Sequence, residues 1–154
     1  MTARVERPAA DRGPKESRHG GRESAVQMLY QWEVGRVSML EVRQTFWTGP
    51  AAESEIPEAN RTFATALADG VAAHVAEIDP IITEAAEHWR IERMSVMDRL
   101  ILRLAVYEFL KQPETPAKVI INEALELART FSNDDAVRFI NGILDAIRKK
   151  LERE

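Results

Sequence analysis

His19, His74 and His88 are the side chains best suited to proton transfer or metal ligation, and their spacing supports neither. No two of them fall on adjacent helical turns with a third ligand nearby, so no metal site is expected. Gly20-Gly21 is an isolated pair, without a preceding strand or a following Gly-Lys-Ser/Thr, and does not make a phosphate loop. Glu123, Glu126 and Arg129 recur at helical spacing, which favours surface ion pairs over acid–base catalysis. The chain has no cysteine, which removes thiolate nucleophiles, iron–sulfur ligation, sulfur-bound zinc and disulfides. These absences predict a protein without catalysis and without a cofactor.

Two carboxylates and one aromatic pair remain. Asp98 and Asp135 each stand three residues after a serine, a spacing that predicts helix capping, since a carboxylate in the first turn meets unpaired N–H groups and the positive end of the helix dipole. Arg138 and Phe139 lie one turn into the last predicted helix. A cation beside a ring can hold a phosphate and stack an unpaired base, although the periodicity alone also fits Phe139 as a core residue.

The elements that carry these residues read as helical throughout. Beyond residue 20 the apolar positions recur with a 3.6-residue period, and alternating strand patterns and Asn-Gly turns are missing. The pattern predicts a first helix from about Arg22 to Glu33, with Gly35 as its stop, and a second over about Met39 to Trp47. After an acidic loop at 52–56, Pro57 opens a third that runs to Ile78. Asp79-Pro80 reads as a cap and first turn, restarting a helix that continues to about Trp89. Ser95 caps a buried central helix over Val96 to Leu110. Pro116 starts another, with Val119, Ile120, Ala124, Leu127 and Ala128 on its core face. Ser132 caps the last, about Asp134 to Leu151, which buries Val137, Ile140, Ile143, Leu144 and Ile147. Seven helices in an all-α fold are expected.

Charge divides this chain unevenly. The net charge of −4 comprises +3 over residues 1–22 and −7 over the remainder. A flexible basic arm over 1–17, ahead of a single helical domain over 18–154, suits a polyanion such as RNA; a solvated terminus has the same composition. No run approaches the roughly 20 apolar residues of a membrane span, and the first residues carry no apolar signal segment. A cytoplasmic protein is expected.

Four strings, in register, resemble the NusB family of transcription antitermination factors. They are Arg22-Glu23-Ser24-Ala25-Val26-Gln27-Met28-Leu29-Tyr30-Gln31-Trp32, Ile101-Leu102-Arg103-Leu104-Ala105-Val106-Tyr107-Glu108, Ile121-Asn122-Glu123-Ala124-Leu125-Glu126-Leu127-Ala128 and Phe139-Ile140-Asn141-Gly142-Ile143-Leu144-Asp145. The resemblance covers residues 18 to 147, with a variable middle at 36 to 70. It implies two packed helical sub-bundles and a non-enzymatic factor that binds boxA RNA with NusE, a small-subunit ribosomal protein. The pair joins other Nus factors at RNA polymerase to promote antitermination, notably in ribosomal RNA operons. Family members occur as monomers or homodimers.

By position, the family's arginine-rich motif falls on Arg18, His19, Gly20, Gly21 and Arg22, where only the two arginines match a run that is denser in some relatives. The resemblance implies RNA contacts at Arg18, His19, Gly20, Arg22 and Gln27, and at Asp135, Arg138 and Phe139 in the last helix. It implies NusE contacts at Tyr30, Glu92 and Asp98. Two alternatives remain at this point: an RNA-binding module of the ribosomal RNA methyltransferase type, and a protein-binding bundle without RNA affinity. The first would require a doubly wound sheet with a Gly-rich cofactor loop and a catalytic cysteine, neither of which this sequence contains.

Overall fold

Apolar residues three and four apart give each segment one sticky stripe, and burying those stripes against one another yields a helical bundle. The computed structural model describes residues 14–48, 56–87 and 89–154, the first four as backbone only. It contains α1 (Pro14–Gly35), α2 (Met39–Thr45), α3 (Glu58–Ala73), α4 (Val75–Ala85), α5 (Val96–Lys111), α6 (Ala117–Phe131) and α7 (Asp134–Lys150), with 3-10 turns at Phe46–Thr48 and Ile91–Arg93. Among the described residues there are seven helices and no strand, as expected. Helices α1 to α3 form one sub-bundle and α4 to α7 the other. Helix α5 packs against both, and Leu100 to Val106 are buried without interruption.

The helix boundaries differ from expectation in four places. Helix α1 begins at Pro14, eight residues before the expected Arg22, so the boundary expected between arm and domain at residue 17 falls inside it. The rest of the arm, residues 1–13, the acidic stretch through residue 55 and His88 lie outside the described residues. Second, the break after α3 comes at His74 and not at Asp79-Pro80. The backbone N–H of His74 bonds Val71 O, and its ring Nδ1 takes over the carbonyl of Gly70 at 2.7 Å, so a side chain competes with the helical ladder and ends it. Pro80 then sits inside α4, where it and Ala76, the residue whose carbonyl loses a donor, are both exposed to water.

Third, α4 stops at Ala85 and Glu87 turns left-handed with φ 55°, four residues short of the expected end at Trp89. Fourth, the cap of α7 is Asn133, whose side chain accepts from Ala136 N–H; the hydroxyl of Ser132 instead donates to Asp98 Oδ1 at 3.0 Å. Ser95 does cap α5 as expected, accepting from Asp98 N–H. Val119 and Val137, expected in the core, are half-buried. At the end of α1 the left-handed residue is Arg36, at φ 52°, and Gly35 is the last helical one.

Close approach is what two glycines provide. A Cβ on Gly21 would stand 2.9 Å from the Phe63 ring and 3.3 Å from Asn60 O, which sets how tightly α1 meets α3. A Cβ on Gly70 would overlap the Tyr107 ring, so α3 and α5 touch there only because position 70 has no side chain.

Helices α1 and α5 run antiparallel, and buried charges fix their register. Near the start of α1 Arg22 pairs with Glu108 near the end of α5. Near the end of α1 Glu33 pairs with Arg99 and Arg103 of α5, and Arg103 also holds Asp79 of α4 at 2.8 Å. The guanidinium of Arg103 is therefore shared by three helices, and its two carboxylate partners raise its pKa against the opposing effect of burial.

Candidate nucleic-acid interface

The start of α1 gathers the first group of expected residues. Arg18 is exposed, and its guanidinium lies over the Phe63 ring at 5.2 Å, with Arg22 over the same ring at 5.4 Å. A cation on an aromatic face keeps its hydrogen-bond donors at the ring's edge free for a phosphate. Gly20 beside it faces open space: a Cβ there would meet nothing within 4 Å. A cleft of about 310 Å³ opens at this point, lined by Arg18, Arg22, Thr115, Pro116, Val119 and the carboxylates Glu114 and Glu123.

Two of the expected contacts are already committed to the protein. Arg22 is only 3% exposed and donates from Nε and Nη2 to Glu108, so its charge is spent inside the fold and does not reach a ligand at the surface. Arg22, expected as an RNA contact, is thus buried where α1 packs on α5, between the buried Gly21 and Ser24. His19 bridges α1 to α6, with Nδ1 2.6 Å from Glu123 Oε2 and Nε2 2.8 Å from Glu23 Oε1. Hydrogen bonds to Glu123 and then Glu23 raise its pKa to about 10 in spite of partial burial. The imidazole is thus cationic at neutral pH with both donors occupied.

Further along α1, Gln27 is exposed and Tyr30 is 42% exposed. Tyr30 borders an apolar groove of about 440 Å³ between α1 and α2, which Val34, Val37 and Val42 also line.

The second group of expected residues sits at the other end of α5. Asp135 and Arg138 form an exposed ion pair one turn apart on α7. Phe139 is half-buried: it packs against the core and meets the Trp89 ring edge-on, with centroids 6.1 Å apart. The core reading of Phe139 therefore holds in part. Asp98 is half-buried where the Ser132 hydroxyl reaches it, and Glu92 is exposed in the 3-10 turn. Asp98 and Glu108, ten residues apart on α5, are separated by about 15 Å along its axis, so the two groups lie toward its opposite ends.

Sequence reasoning missed Phe63, Trp89 and Glu108. Phe63 and Glu108 gave no signal, because their roles depend on a neighbour from another helix. Trp89, followed directly by Arg90, was visible as a cation–aromatic pair but read as the end of a helix. Among the described residues no cluster of His, Asp and Glu could hold a metal ion, and no helix is long and apolar enough to cross a membrane.

An all-helical scaffold of two sub-bundles, with cations and rings at its surface, defines a class of helical binding protein. A family model described as the NusB family matches residues 19–149. The chain is 45% identical over 138 residues to the transcription antitermination protein NusB of Koribacter versatilis, covering 90% of this chain and 92% of that protein. Among solved structures, Thermotoga maritima NusB ("T. maritima NusB") superposes with a TM-score of 0.75 at 31% identity, covering 86% and 91% of the two chains. A structure of antitermination factors NusB and NusE in complex with double-stranded RNA superposes with a TM-score of 0.76 at 26% identity, covering 88% and 98%. This chain belongs to the NusB family.

Proposed function

We propose that this protein binds boxA-type single-stranded RNA together with NusE and so promotes transcription antitermination, notably in ribosomal RNA operons. In this role it works in the cytoplasm with other Nus factors and RNA polymerase, and its contribution is binding, not catalysis. The observation that carries the reading is Arg18, exposed over the Phe63 ring at the mouth of a cleft, in a family with a relative solved on RNA with NusE. RNA contacts are assigned to Arg18, Gly20 and Gln27 at one level, with His19 supplying field more than donors, and to Asp135, Arg138 and Phe139 at the other. Tyr30, Glu92 and Asp98 are assigned to NusE: the carboxylates of Glu92 and Asp98 suit a basic ribosomal protein.

Because Arg22 and His19 are spent internally, a bundle that binds protein without RNA is the competing reading. One titration separates them. Labelled boxA-type RNA, single-stranded and as a duplex, is titrated with the protein, with and without NusE, at two salt concentrations. Binding of the single strand that NusE enhances and salt weakens supports the proposal. Binding of NusE with no RNA retained at either salt overturns it in favour of the protein-only bundle.

A further inference from the structure

The linker between α4 and α5 carries a tryptophan that the fold does not need there. Trp89 is 52% exposed, the largest side chain so placed among the described residues, and its contact is the edge of Phe139. A half-exposed indole with a second ring beside it keeps a large apolar π-surface open to a ligand. Arg90, which precedes the 3-10 turn, and Arg93, which ends it, follow, both exposed and neither in an ion pair among the described residues. They put two free cations side by side in a body whose charge beyond residue 22 is −7, whereas Arg43, Arg129 and Arg138 on the same surface are each paired with a carboxylate.

The geometry points to a base-stacking platform: Trp89, braced by Phe139, takes an unpaired RNA base on its face while Arg90 and Arg93 meet the flanking phosphates. This rests on the RNA-binding reading above and extends it to three residues outside the arginine-rich motif. The occupant is argued from chemistry. A half-exposed indole beside a second ring offers a π-face that any base can cover, and unpaired guanidinium groups in sequence with it offer charge to a backbone. The steeply inclined contact with Phe139 restrains the indole while leaving it half-exposed, which lowers the ordering cost of stacking.

The test uses the full chain and labelled single-stranded boxA-type RNA, read by fluorescence anisotropy at several salt concentrations. Trp89→Ala is expected to weaken binding about tenfold with the salt slope unchanged, and Trp89→Phe to restore most of the loss. Arg90→Ala with Arg93→Ala is expected to flatten the salt slope by about 0.7 per lost phosphate contact. RNA should also quench tryptophan emission in the parent protein and not in Trp89→Phe, a readout independent of any change in fold. If Trp89→Ala binds RNA like the parent while Arg18→Ala does not, the platform is overturned and the RNA-binding reading stands. If the parent protein binds no RNA at any of these salt concentrations, both fall.

Discussion

Arg22 and Glu108, 86 residues apart in sequence, meet in the interior through two parallel contacts, Nη2 to Oε1 at 2.7 Å and Nε to Oε2 at 3.0 Å. This fork is the joint between the first helix and the central one. It also gives a residue of the arginine-rich motif a structural role.

Arg22→Ala is therefore expected to destabilise the fold by about 3–5 kcal/mol, the cost of leaving a buried carboxylate without its partner. Chemical denaturation measures it. The exposed Arg18→Ala should stay within about 0.5 kcal/mol of the parent and carry the loss of RNA affinity instead. A variant with both changes confounds binding with folding.

His19 gives stability a pH dependence. Its folded-state pKa, about 10, lies above the ordinary histidine value of 6.5, so its stabilising contribution is complete below pH 6.5 and disappears as pH rises through 10. The stability difference between the parent and His19→Ala should be constant up to about pH 6.5 and shrink steadily above it. Denaturation midpoints at pH 6, 8 and 10 follow the trend, and a histidine resonance that stays protonated at pH 8 identifies the group.

Gly70→Ala should cost about 1–3 kcal/mol, because the added methyl displaces the Tyr107 ring between α3 and α5. Combining it with Tyr107→Leu should recover part of the loss. A double-mutant cycle reads the coupling.

Glu92→Lys should weaken NusE binding, measured by calorimetry, with the melting temperature unchanged, since the side chain is exposed. Asp98→Lys should do the same and also lower the melting temperature, because Asp98 accepts the Ser132 hydroxyl. The first variant thus isolates recognition from folding.

Helical period made the number of helices and the central burial of Leu100 to Val106 legible from the residues alone. Local capping chemistry did the same for Ser95. What failed was non-local. The break at His74 depends on a ring reaching back to Gly70, while Asp79-Pro80 offers the stronger local signal and is overridden. Asn133 displaced Ser132 as a cap because Asp98, from another helix, engages that hydroxyl. Arg18 and Arg22 look equivalent in sequence, and only the packing of α1 on α5 separates the one facing water from the one facing Glu108.

The antiparallel pairing of α1 and α5 sets a minimum footprint. With Arg18 near one end of α5 and Arg138 near the other, an oligonucleotide must be long enough to span that helix to engage both at once. Anything shorter grips one level or the other and forfeits the gain of tethering, so avidity should rise abruptly with oligomer length at that threshold and not gradually.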